Sequence, residues 1–408
     1  MAGPLQGVVV LDLTRILAGP WATQLLADYG AEVLKVEHPQ GGDDTRKWGP
    51  PFLRDASGHD TTESAYYLSA NRGKRSVAID FAKQEGADLV RRLAVQADVL
   101  IENFRVGGLA RHGLAYRDLE TVNPRLVYVS ISAFGQDGPD AAKPGYDAMI
   151  QGMGGLMSIT GVPDGEPGAG PQKVGVAVAD LMCGMYAVSA ILAALYERDR
   201  SGRGQCVDLS LLDTQVAWLA NQNLNYLVTG EPPHRRGTAH PNIVPYQAFA
   251  TADGHLMLAV GNDAQFARFC AAAGMPELSL DPRYATNLGR VTHRAELIPV
   301  LAQLLGRRGT REWLAMLEAA QVPCGAINDL AQVFAEPQVR HRGLRIDLPH
   351  PTAGTAPGVR NPVRFSRTEA SCERAPPLLG ADTRAVLGER LGLDGDTLTN
   401  LSALGVIP

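Results

Sequence analysis

The sequence predicts an α/β protein, with a large, mostly parallel sheet covered by helices and a smaller α/β domain after it. Three observations lead there. β-rich runs alternate with helical stretches through residues 1–200, as in chained strand–helix–strand units. The texture then changes, and from about residue 227 one strand-like run precedes several helical ones. Finally, 408 residues exceed one ordinary core, so the chain divides into domains.

In order, "GVVVLDL" is the first strand and "TRILAGP" the turn after it. A helix follows from about Pro20 to Tyr29, with Pro20 suited to the first helical position. "AEVLKVEHP", "RSVAID", "ADVLIENF" and "RLVYVSISAFG" are further strands, and a helix spans about Lys83 to Ala97. "GRGQCVDLSLLDTQVAWLANQNLNYLVTG" gives another strand and a long helix. The expected organisation is a large domain over 1–200, a linker helix region over 201–226, a small domain over 227–325 and a return segment over 326–408. In the small domain "HLMLAVGN" is a strand, with helices near 263–273, 294–306 and 310–320. "GAINDLAQVFAEPQV" reads as a return helix, and the Pro/Gly-rich tail as irregular chain able to wrap over the first domain or a partner subunit.

Composition narrows the function. The chain is 45% hydrophobic and 20% charged, as in a globular enzyme able to bury a deep pocket. Its net charge of −5, with no long Lys/Arg block, argues against a nucleic-acid partner. Five cysteines (Cys183, Cys206, Cys270, Cys324 and Cys372) form no CxxC pair and are odd in number, which fits a reducing, cytoplasmic setting. The opening segment reads as a strand rather than a signal peptide. The apolar run 181–196 is shorter than a membrane span, so no membrane association is expected. GxGxxG is absent after the first strand, and no P-loop, HExxH or GxSxG occurs; the scattered histidines give a metal site no support.

One carboxylate stands out. In "KVGVAVADLMCGMYAVSAILAALYERDR", Asp180 precedes a run apolar on every face, which reads as a helix buried all round from Leu181 to about Arg198. An acid there can cap orphan N–H groups. The same helix end would hold it ionised and fixed, and a fixed carboxylate can be a covalent nucleophile toward an acyl centre. The turn-rich stretch 158–175 could pass beside such a site. Local pattern leaves both readings open.

The chain resembles the class III CoA-transferases, the family of formyl-CoA:oxalate transferase and the α-methylacyl-CoA racemases. The resemblance rests on "VVLDLTRILAGPWATQLLADYGAEVLKVEHPQGGDDTR", "NRGKRSVAIDF", "ADVLIENFRVGGLARHGL", "LVYVSISAFGQDGP", "VADLMCGMYAVSAILAALYERDRSGRGQCVDLSLLD" and "HPNIVPYQAFATADGHLMLAVGND". It implies an interlocked, ring-like homodimer, with N- and C-terminal segments building the Rossmann-like large domain. It implies no permanently bound cofactor, with coenzyme A and acyl-CoA as substrates beside small carboxylic acids. Asp180 takes the place of the nucleophile that forms an acyl anhydride and then an aspartyl-CoA thioester.

The same resemblance places Leu17 and Ala18 along the pantetheine and thioester, Lys74 and Arg75 near the nucleotide phosphates, and Asn103, Phe104 and Arg111 about the adenine and phosphates. His38 stands where formyl-CoA transferase has arginine and Leu17 where it has glutamine. "AVGNDAQ" replaces that enzyme's glycine-rich loop, so oxalate and formate fit poorly. Tyr146, in "PGYDAM", replaces the racemase histidine and is positioned to hydrogen-bond near the acyl group or CoA; with a free pKa near 10 it is a poor two-way proton shuttle. This favours transfer over the alternative, racemisation of a 2-methylacyl-CoA with Asp180 as acid/base. The pattern is most similar to members that move CoA from succinyl-CoA to dicarboxylates. Arg235, Arg236, His240 and Asn242, in the basic loop, are the candidates for the distal carboxylate.

Overall fold

The structure, a computed structural model, describes residues 3–370 and 373–408; the first two residues of the opening segment and Cys372 lie outside them. The described chain forms two compact units. One comprises 1–156, 173–231 and 338–408, the other 157–172 and 232–337.

The larger unit is built on six parallel strands: β1 (Val9–Asp12), β2 (Glu32–Glu37), β3 (Lys74–Ala78), β4 (Val99–Glu102), β5 (Val127–Ser132) and β6 (Cys206–Ser210). Their order is β3-β2-β1-β4-β5-β6. The chain winds one way from β1 to β3 and the other way from β4 to β6. Between β1 and β4 the crossovers part, and such a switch point leaves a crevice at the strands' carboxyl ends.

Side-chain alternation assigns the two faces. Val9, Leu11 and Leu100 pack on one side with the helix α2 (Gln84–Val95) and the carboxyl-terminal Val386, Leu387, Leu398 and Leu401. Val10, Val99 and Ile101 pack on the other with α1 (Ala18–Asp28) and the long helix α4 (Val178–Ser201); α3 is the short helix Asp147–Met153. The carboxyl-terminal segment thus covers one face of the sheet that the amino-terminal segment builds. α4 and α1 approach closely at Gly184, where a Cβ would lie 2.7 Å from the Ala18 carbonyl oxygen.

Several expectations shift. Pro20 is the third residue of α1, not the first. Residues 201–226 are no linker: β6 completes the sheet. The expected long helix is two, α5 (Leu211–Trp218) and α6 (Asn221–Thr229), parted where Ala220 takes φ +49°. The expected return helix is broken as well, into Leu330–Ala335 and Pro337–His341, because Glu336 precedes a proline and is extended. The tail is more regular than its composition implies, with a hairpin (Arg345–His350 and Gly354–Val359) and two helices (Thr383–Leu391 and Gly395–Ala403).

α4 is not buried all round. It is long and apolar enough to cross a membrane by composition, yet one face packs on the sheet and α1. The opposite stripe, including Met185, Tyr186, Leu192 and Tyr196 (69% exposed), is open in the single chain.

The smaller unit has a three-stranded antiparallel sheet of Tyr246–Ala250, His255–Ala259 and Cys324–Ala326. Helices Asp263–Ala272, Arg294–Leu305 and Thr310–Ala319 close its core around Leu256, Phe266, Leu301 and Trp313. Residues 157–172 join this unit because Gly161 accepts the Gly237 N–H (3.1 Å) and Asp164 pairs with Arg235.

Candidate active site

The switch-point crevice is a cavity of about 600 Å³ within the larger unit. Its walls come from the strand ends: Arg15–Ala18 after β1, Asn103–Val106 after β4, and Ser132 and Ala133 at the end of β5. Arg111, Tyr146 and Asp180 complete it. The structure therefore brings Leu17, Ala18, Asn103, Phe104, Arg111, Tyr146 and Asp180 to one space. Arg15, Arg105, Arg111 and Lys143 give the cavity a basic lining. A second cavity of about 230 Å³ shares Arg15, Phe81 and Phe104 with it, and His38 lies there.

Asp180 is the third residue of α4, inside its first turn rather than at the cap. It is 8% exposed and makes no hydrogen bond or ion pair among the described residues. Burial, then the charge of Asp147, push its carboxyl up to about 7. This departs from the expectation that the helix end holds it ionised: burial without a neighbouring cation or donor raises the carboxyl. The result is a poorly solvated carboxyl, raised well above the usual carboxylate range, facing a cavity.

The capping is done by Asp147, which the sequence reading missed. Its Oδ1 accepts the Ala179 N–H (2.8 Å), one of the orphan donors of α4. Its Oδ2 accepts from Gln151 Nε2 (2.8 Å), while Gln151 Oε1 accepts the Val174 N–H (2.9 Å). The pair, one turn apart on α3, pins the chain entering α4. Asp147 and Gln151 in "GYDAMIQG" carried an i, i+4 signal, but the partner N–H lies 32 residues away. Asp147→Ala is expected to cost about 1–2 kcal/mol of stability, as a lost cap does. It also removes the like charge from Asp180, so the midpoint of the pH–rate profile moves to lower pH; thermal melts and that profile check the two effects. Tyr66 was missed too. Burial, then the Asp180 charge, push its hydroxyl to about 12, so it stays protonated near the site.

Other residues differ from expectation. Lys74 is a core ion, not a phosphate ligand: it is fully buried, with Nζ 3.1 Å from Asp12 Oδ2, 2.9 Å from Asn71 Oδ1 and 3.0 Å from the Pro20 carbonyl. Burial opposes ionisation of Asp12, but Lys74, Lys35 and the Thr14 and Thr23 hydroxyls outweigh it and hold the carboxyl near about 2. Arg75 turns to Glu32 (3.0 Å) and Glu389 (2.9 Å), joining β2 to the carboxyl-terminal helix, and lines neither cavity. Asn103 lines the cavity, but its amide clamps Arg15, accepting the N–H (2.9 Å) and donating to the carbonyl (2.8 Å).

In the smaller unit Arg235 is paired with Asp164 and donates to the Val162 carbonyl (3.3 Å), so it is not the free donor expected. His240 stacks at a tilt on Tyr246 (5.4 Å), and burial and Arg294 lower its pKa. The Asn242 carbonyl accepts from Asn287 (2.9 Å). Arg236 is exposed and makes no ion pair among the described residues. No cluster of three metal-ligating side chains occurs among the described residues.

Comparison with known proteins adds to this geometry. The family model for CoA-transferase family III matches residues 5–383. A succinate–glutarate CoA-transferase from Agrobacterium fabrum is 52% identical over 95% of each chain. A human succinyl-CoA:glutarate CoA-transferase is 44% identical over 99% of this chain and 90% of its own. Among solved structures, a CaiB/BaiF family protein from Brucella suis superposes with a TM-score of 0.83 at 47% identity, covering 96% of this chain and all of that one.

Proposed function

The chain belongs to CoA-transferase family III and is an enzyme of that class; we propose that it moves CoA from succinyl-CoA to glutarate or a related dicarboxylate, with Asp180 as the covalent carrier. The observation that carries the mechanism is a buried, unpaired carboxylate facing the basic-lined cavity at the sheet's switch point. The dicarboxylate assignment is supported by the acids named for the relatives at 52% and 44% identity.

The steps balance without ATP and without net proton transfer. The Asp180 oxygen attacks the thioester carbon of succinyl-CoA, the C–S bond breaks and CoA thiolate leaves, giving a mixed anhydride. The thiolate attacks the aspartyl carbonyl and succinate departs, leaving an aspartyl-CoA thioester. Glutarate attacks that carbonyl and expels the thiolate again. The thiolate then takes the glutaryl carbon, and Asp180 is regenerated. Poor solvation makes the ionised carboxylate reactive. Each tetrahedral intermediate needs donors. The first-turn N–H groups of α1 at Ala18 and Gly19 have no intrahelical acceptors, and Leu17 supplies no side-chain cap.

Arg15, Arg105, Arg111 and Lys143 suit the phosphates of CoA, with Leu17 and Ala18 along the pantetheine, Phe104 toward the nucleotide and His38 in the adjoining cavity. Tyr146, 67% exposed at the cavity mouth, is free to meet the acyl group. Arg236 is the acceptor-side candidate of the smaller unit. A homodimer accounts for the open stripe of α4 and for the exposed Leu224, Leu227 and Val228 of α6, which a second chain would cover. The four described cysteines are unpaired, in keeping with a cytoplasmic enzyme.

The test is to incubate the protein with succinyl-CoA and a panel of carboxylic acids and weigh the thioesters formed. Glutaryl-CoA or another dicarboxylyl-CoA is expected. No new thioester from any acid, together with deuterium exchange at C2 of a 2-methylacyl-CoA, would replace transfer by racemisation.

A further inference from the structure

We infer that the buried Lys35–Asp43 ion pair is a latch that holds the cavity turn after β1 in a strained conformation, and so positions the start of α1 against Asp180. Ile16, in the cavity wall, has φ +72°. A β-branched side chain is an outlier in that left-handed region and stays there only when its surroundings over-determine it.

The surroundings do so from three sides. Asp43 Oδ1 accepts the Ile16 N–H (3.2 Å), while its Oδ2 takes Lys35 Nζ (2.9 Å). Lys35 also donates to the Thr14 carbonyl (3.0 Å). Asn103 grips both backbone groups of Arg15. Lys35 and Asp43 have fully buried side chains, and Asp43 is itself fixed by Thr45 (N–H 3.0 Å, Oγ1 2.7 Å) and by its own N–H on Glu37 (2.9 Å). The turn leads directly into Leu17, Ala18 and the first-turn donors of α1. Lys35 and Asp43 touch no reacting atom, so they are positioning residues. Releasing the turn should lower kcat far more than it weakens acyl-CoA binding, because Arg105, Arg111 and Lys143 line the cavity outside the turn.

The test uses Lys35→Met/Asp43→Leu, which removes both charges and leaves no lone buried ion. A fall in kcat of about 10- to 100-fold is expected, the usual cost of small displacements in a site, with a much smaller rise in the KM for succinyl-CoA. Adding Ile16→Gly should restore most of the lost kcat, because glycine adopts positive φ without strain. A crystal structure of the double variant should show Ile16 out of the left-handed region. Wild-type kcat in the folded double variant, or Ile16 still left-handed, would overturn the inference.

Should the double variant not fold, hydrogen exchange on the wild-type protein decides. The Ile16 amide should be protected like β1, and exchange at the rate of an open loop would overturn the latch. The kinetic readout rests on the transferase reading. Absence of wild-type turnover would count against that reading, while the Ile16 backbone and its exchange still judge the latch.

Discussion

Asp180→Ala is expected to lower the kcat of CoA transfer on the order of 10⁴-fold, the scale set by removing a covalent nucleophile. Acyl-CoA still binds, because Asp180 contributes one small patch to a cavity walled by three strand ends. Steady-state turnover and equilibrium binding of a CoA thioester separate the two. In the wild type, kcat is expected to rise as pH passes through about 7, as the carboxyl ionises. The same shift sets a stability trend. The folded carboxyl holds its proton up to about 7, whereas a free aspartate loses it near 3.8, so the folded state binds more protons between those values. Stability from this group therefore falls as pH rises from about 4 to about 7 and is level above. The full penalty is at most about 4 kcal/mol, some three pKa units at about 1.4 each. Asp180→Asn, neutral at every pH, should accordingly melt higher than the wild type at pH 8 while remaining inactive.

Lys74→Met has its large effect on the fold. It leaves Asp12 buried with one cation fewer, and breaking such a pair costs about 3–5 kcal/mol. The apparent Tm should drop by roughly 5–10 °C, while the KM for acyl-CoA in the surviving folded enzyme stays near the wild-type value. A phosphate ligand would show the opposite pattern, with a raised KM and an unchanged melt. Lys74 has no exposure through which to reach a ligand, so the first pattern is the expected one.

What could be read in one dimension, and what could not, follows from where each partner lies. Val9, Val10 and Leu11 declare a central strand because both sheet faces are covered, and the alternating helices declare the parallel sheet. Leu17, Ala18, Asn103 and Phe104 meet because they follow adjacent strands β1 and β4, a consequence of strand order. Lys74 was placed near the phosphates by the family resemblance; its partner Asp12 is 62 residues away and shows no local signal. Asp147 was passed over for the same reason. The α4 helix was expected to be buried all round because its apolar residues encircle it, yet a single chain covers one side. Sequence reports that the helix is apolar all round, not which of its faces this chain covers. The Ile16 turn carried no signal, since isoleucine gives no hint of positive φ.

In the proposed reaction Asp180 carries CoA between two acids. Its most direct test is to mix the protein with succinyl-CoA, quench with hydroxylamine and map the hydroxamate by peptide mass. Hydroxylamine attacks anhydrides and thioesters at the aspartyl carbonyl. One hydroxamate is expected, on Asp180, formed only when succinyl-CoA is present. New acyl-CoA formed with no hydroxamate at Asp180, or with one at another residue, would contradict it.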